Sequence, residues 1–107
     1  CASVEAAGRW LAANYAQHPA VPGAVANSML MLLGTVTGGW QLARAAVIAS
    51  EKLAASAAAS EAEREFLAAK LITADFYAGQ FSPLATAYLR AIEAGADALV
   101  AFPDSAF

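Results

Sequence analysis

From Trp10 to Ala43 the chain carries no Asp, Glu, Lys or Arg, and within that stretch Met29 to Val36 is almost wholly apolar. An uncharged run of this length has to leave water, into a bilayer or a core. A membrane span needs ~20 consecutive, predominantly apolar residues. Pro22, Asn27, Ser28, Thr35, Thr37, Gly38, Gly39 and Gln41 interrupt every such window, and no charge anchors its start. The run therefore reads as the core helix of a bundle, and no membrane partner is expected.

Composition settles which bundle is accessible. Alanine supplies 31 of the 107 residues, whereas Val, Ile and Thr together supply 13. The β-branched types are too sparse for a sandwich or barrel, and the fold class is all-α. A chain of this length buries roughly two thirds of its unfolded surface, enough for a core without staples. One domain over residues 1–107 is expected, with no internal repeat and no linker to divide it.

Turn chemistry divides the chain into four helices. The first runs from about Ser3 to Gln17, with Ser3 as N-cap, Glu5 in the first turn and Val4, Ala7, Leu11 and Tyr15 on one stripe. His18, Pro19 and Val21-Pro22-Gly23 break it, and Pro22 suits the first turn of the next helix, where its missing N–H would be unpaired anyway. That second helix is long, reaching about Ala55, with an inner stripe of Val25, Met29, Leu32, Val36, Gly39, Ala43, Ala46, Ser50 and Leu53, widened by Leu33, Trp40 and Val47. Being apolar all round in its first half, it is expected to be central and covered on several sides. Gly34, Gly38 and Gly39 each weaken a helix by about 1 kcal/mol relative to alanine, and close approach of another backbone is the expected offset.

An alanine-serine stretch, Ala54 to Ala59, precedes Ser60 and Glu63, whose spacing is a capping box opening helix three. Leu67, Leu71, Ala74, Ala78 and Phe81 form its row, with Phe66, Ile72, Phe76 and Tyr77 beside it, so it too reads as enclosed. Ser82-Pro83 ends it. Helix four carries Leu84, Tyr88, Ala91 or Ile92, Gly95, Leu99 and Phe102 and stops at Phe102-Pro103-Asp104.

Catalytic chemistry finds little to work with. A single histidine, His18, lies in a turn with no carboxylate in helical reach to orient it, and it can build neither a catalytic relay, a His-rich zinc site nor a di-iron pair. Cys1 cannot form an internal disulfide and fits an added or lipid-modified terminus as well as a native one. Glu61, Glu63 and Glu65 favour a helix dipole over a metal. No Gly-rich loop follows a strand, and six scattered Lys and Arg in a chain of net charge −3 give no stripe for nucleic acid. No catalytic, cofactor-binding or metal-binding residue is therefore assigned. Arg44, beside Trp40, and Asp75, among Leu71 and Phe76, are expected to be partly buried, in a structural bridge among Arg44, Lys70, Asp75 or a helix end. Trp40, Phe66, Phe76, Tyr77 and Phe81 read as core aromatics.

The segment Gly34-Thr35-Val36-Thr37-Gly38-Gly39-Trp40-Gln41-Leu42-Ala43-Arg44, with Phe66-Leu67-Ala68-Ala69-Lys70-Leu71 and Phe76-Tyr77-Ala78 before Pro83, resembles the additional C-terminal helical domain of large bacterial acyl-CoA dehydrogenases, in particular the methylmercaptopropionyl-CoA dehydrogenase subgroup. The resemblance extends from about Ala7 to Gly95-Ala96-Asp97 and Phe107. It implies a cytoplasmic flavoprotein parent that binds FAD and oxidises an acyl-CoA thioester to an enoyl-CoA through residues upstream of this extension. It carries over Trp40, Arg44 and Lys70, with structural roles.

The expected architecture is thus a four-helix up-and-down bundle with one long central helix, a non-catalytic packing domain at the C-terminus of a longer chain, with no cofactor of its own. Gly34, Gly38, Gly39, Trp40, Arg44 and Lys70 are its structural residues. Trp10, off the main stripe of helix one, is the candidate for docking on the catalytic domains. The alternative is a free-standing helical module that pairs as a homodimer.

Overall fold

A computed structural model describes residues 2–55 and 60–106, and among them every regular element is helical. The order is α1 (Ala2–Asn14), α2 (Val21–Ala54), α3 (Glu61–Gln80), α4 (Leu84–Glu93), the short α5 (Asp97–Ala101) and a final 3-10 turn (Asp104–Ala106). By its contacts the chain forms two compact units, Cys1–Gly34 with Leu84–Phe107, and Thr35–Pro83; α2 passes from the first into the second.

Local chemistry explains most boundaries. Ser3 lies inside α1 and does not cap it, and α1 ends three residues earlier than the apolar stripe suggests. Its end is tied by the Asn14 side-chain amide, which donates to the Trp10 carbonyl at 2.8 Å, and the chain then turns at 15–17. The His18 Nδ1 accepts from the Ala20 N–H at 3.0 Å, and the His18 carbonyl accepts from the Val21 N–H at 3.1 Å. The histidine is thus occupied in starting α2, with Pro22 in the first turn where its ring does no harm. At α3 the Ser60 hydroxyl accepts from the Glu63 N–H at 3.1 Å, as the capping box requires. The Phe81 and Ser82 N–H groups both donate to the Tyr77 carbonyl, and Pro83 prevents any continuation. The low-complexity stretch preceding α3 falls mostly at 56–59, outside the described residues.

The fourth predicted helix is two helices. Gly95, at φ 68°, adopts the left-handed conformation that closes α4; its N–H donates to the Ile92 carbonyl at 3.0 Å and that of Ala94 to the Arg90 carbonyl. The apolar spacing of Ile92, Gly95 and Leu99 continues through this break, which is why periodicity alone joins them.

In the first unit α1 packs on α4, and Ala7, Val21, Val25, Leu32, Ala85, Ile92 and Ala96 are buried. Leu32 and Ile92 are fully enclosed, each contributing about 1.5–3 kcal/mol of burial. Alanines at three of these positions let helices approach closely. Trp10 is half-buried, and its ring edge lies 3.5 Å from where a Cβ on Gly95 would stand. In the second unit the buried positions are Ala49 and Leu67, with Leu42, Leu71, Ala74 and Tyr77 half-buried around them.

Enclosure is where expectation and structure part. Neither α2 nor α3 is covered on several sides: Leu30, Met31 and Leu33 are exposed on α2, and Phe66, Ile72 and Phe76 are exposed on α3. By length and composition α2 could cross a membrane, yet only 17% of its most apolar window is buried, so it is not the sequestered core helix that its sequence suggests. A helix that is apolar all round needs covering on all sides, but the sequence does not say that the same chain must supply the cover.

Candidate functional site: a tyrosine seat and uncovered apolar faces

The glycine-tryptophan segment of α2 and the aromatic run of α3 meet in the second unit. A Cβ on Gly38 would stand 2.8 Å from the Tyr77 hydroxyl, and one on Gly39 would stand 3.3 Å from the ring at Cε1 and 3.8 Å from the Ser82 hydroxyl. The two glycines therefore cut a notch into α2 in which the Tyr77 ring is seated. The hydroxyl donates to the Thr35 carbonyl at 2.7 Å, using a lone pair that the helix ladder leaves spare. Phe81 stacks on the same ring, centroids 5.1 Å apart and planes at 19°, and Phe76 meets Phe81 edge-on at 6.1 Å. A side chain, not a second backbone, occupies the space that the glycines clear. Gly34 plays no part in this seat, since a Cβ there would meet open space.

The charged residues assigned to this segment are exposed. Arg44 lies over the Trp40 ring at 5.1 Å and Lys70 over the Phe66 ring at 4.9 Å, so each cation rests on an aromatic face of its own helix. Asp75 is also exposed, and no ion pair joins Arg44, Lys70 and Asp75 among the described residues. The ion pairs Glu5–Arg9 at 3.9 Å and Arg90–Glu93 at 3.8 Å lie at the surface within α1 and α4 and contribute little. Trp40 is 56% exposed, and Phe66 and Phe76 are each 60% exposed, which removes them from the core that their helical spacing implies. Tyr77 is the member of that aromatic set whose role sequence reasoning understates. Adjacent glycines in mid-helix, facing a helix rich in aromatics, are the signal that finds it.

No group of three or more His, Cys, Asp or Glu suited to a metal occurs among the described residues. Trp40, Ala43, Arg44, Val47 and Ile48 line an open depression built from one face of α2. What this surface offers is contact. Fifteen large apolar side chains are exposed among the described residues, against five buried ones larger than alanine: Val21, Val25, Leu32, Leu67 and Ile92. They lie in both units, with Leu30, Leu33, Leu99 and Phe102 in the first and Trp40, Val47, Phe66 and Ile72 in the second.

A family model described as acetyl-CoA dehydrogenase C-terminal like matches residues 1–103. No curated protein and no solved structure matches the chain.

Proposed function

We propose that this chain, which belongs to the acetyl-CoA dehydrogenase C-terminal-like family, is a single helical domain that covers and braces the catalytic domains of a cytoplasmic, FAD-dependent acyl-CoA dehydrogenase of the methylmercaptopropionyl-CoA dehydrogenase-like subgroup. The parent oxidises an acyl-CoA to an enoyl-CoA in fatty acid metabolism, and this domain contributes no catalytic or flavin-binding residue. The observation that carries the reading is the excess of exposed over buried large apolar side chains. A self-sufficient monomer rarely leaves so much apolar surface in water, whereas a domain that packs on a larger body must.

The first unit supplies the docking surface in this reading. Leu30 at 69% exposure and Leu99 at 63%, with Leu33, Val100 and Phe102, offer more uncovered apolar area than the half-buried Trp10, whose ring already rests against Gly95. Up-and-down packing of the helices belongs to the same proposal, because a short turn at 15–20 favours antiparallel neighbours.

The test is made on the longer chain that carries this sequence. Purified intact, it should hold flavin absorbance through gel filtration and reduce a dye on addition of acyl-CoA. Leu30→Asp with Leu99→Asp should lower its melting temperature while the isolated 107-residue chain keeps its helix content. A longer chain with neither flavin nor acyl-CoA oxidation would overturn the reading.

A further inference from the structure

The second half of α2 carries a face that is uncovered along its whole length. Thr37, Trp40, Gln41, Arg44, Val47, Ile48 and Glu51 recur at steps of three and four, and all are exposed. Steps of that kind trace one seam of a helix, and three of its residues, Trp40, Val47 and Ile48, are large apolar side chains left in water. The opposite face, with Gly39, Leu42, Ala46, Ala49 and Leu53, is the one turned inward. This seam bears one cation and one anion a heptad apart, Arg44 and Glu51, and neither has an ion-pair partner among the described residues. A seam of this make-up is complementary to itself when reversed.

We propose that this face is a homodimer interface, in which α2 of one copy lies antiparallel to α2 of a second about a two-fold axis between Val47 and Ile48. That register gathers Val47 and Ile48 of both copies at the axis. One turn to either side it sets Arg44 of each copy against Glu51 of the other, so the interface holds the same ion pair twice. Farther out, Trp40 meets Ala54 and Ala55 of the second copy, a large side chain over two small ones. A parallel, in-register pairing is excluded by its own charges, because Arg44 would face Arg44 and Glu51 would face Glu51. The opposed arrangement satisfies charge and size together, and that selects a second copy as the occupant. Residues 40–55 span only about 24 Å of helix, so the dimer is a modest one with dissociation in the micromolar range or weaker. The inference does not depend on the acyl-CoA dehydrogenase reading, which places its docking surface in the other unit.

Sedimentation equilibrium of the 107-residue chain under reducing conditions tests it. The unmodified chain should show a concentration-dependent monomer–dimer equilibrium. Arg44→Glu and Glu51→Arg should each weaken it at least tenfold, because each turns both ion pairs into repulsions. An equimolar mixture of the two variants should dimerise again, since Glu51→Arg chains then meet Arg44→Glu chains with opposite charges at both sites. The double variant in one chain should dimerise as well, which parallel pairing does not allow. Both positions are exposed, and circular dichroism reports whether each variant keeps its helix. Should one variant misfold, Val47→Cys in a Cys1→Ser background is the second measurement, and it should form an intermolecular disulfide on oxidation. A chain that stays monomeric at several hundred micromolar, a dimer indifferent to Arg44→Glu, or failure of the mixture and double variant to recover would each overturn the proposal.

Discussion

Replacing Gly38 by alanine separates two effects of opposite sign. In an open helix the change stabilises by about 1 kcal/mol, because alanine is the better helix former. Here the new methyl would stand 2.8 Å from the Tyr77 hydroxyl, closer than real contacts allow, and a tight 3.3 Å from Cζ. The tyrosine must shift, and its 2.7 Å bond to the Thr35 carbonyl is the first thing lost. That bond contributes about 0.5–1.5 kcal/mol, and displacing a ring stacked on Phe81 adds an overpacking cost of about 1–3 kcal/mol. The expected net effect of Gly38→Ala is a destabilisation of about 1–3 kcal/mol, read as a lower urea midpoint by circular dichroism. Tyr77→Phe removes the clashing oxygen along with its bond and should cost about 0.5–1.5 kcal/mol on its own. On that background Gly38→Ala should become neutral or stabilising. A midpoint that rises on Gly38→Ala in the unmodified chain, or a loss that is the same size with and without the hydroxyl, would show that Tyr77 is not seated against this glycine.

Gly34→Ala is the matched control, since open space lies around it: the urea midpoint should rise by the equivalent of about 1 kcal/mol. Gly39→Leu should destabilise by about 1–3 kcal/mol, because the side chain would have to displace the Tyr77 ring and Ser82; unchanged stability would place Gly39 outside the seat. Ser60→Ala should cost about 1 kcal/mol through loss of the α3 cap, visible as reduced helicity near the melting transition. Gly95→Ala should cost about 1–2 kcal/mol for forcing a Cβ into the left-handed region, with the thermal midpoint as readout.

The elements were largely legible, and the reasons are local. Pro22, Ser60 with Glu63, and Pro83 each act through one hydrogen bond or one missing donor, so the sequence places them to within a residue or two. Ser3 and Gly95 were misread for a complementary reason. Ser3 has the chemistry of a cap but lies inside the helix, and Gly95 falls on an apolar stripe whose period survives a change of direction. The glycine pair announced a close approach, but the sequence could not say that a tyrosine hydroxyl, and not a backbone, made it.

The larger misreading concerns burial, and it follows from what periodicity measures. A stripe such as Leu67, Leu71 and Ala74 specifies which side chains must leave water; it carries no label for the surface that receives them. Phe66 and Phe76 satisfy the same apolar rule as Leu67, yet they are 60% exposed where Leu67 is 7% exposed. In a self-contained bundle that difference forfeits part of the burial free energy, about 1.5–3 kcal/mol for a large side chain fully enclosed. On the reading proposed above, a sequence that keeps such side chains exposed is matched to surroundings larger than its own fold. On that reading the uncharged run from Trp10 to Ala43 has a physical reason: one side of α2, with Val25 and Leu32, is a core for this chain, and its exposed side, with Leu30, Met31 and Leu33, is a core completed by the rest of a longer one.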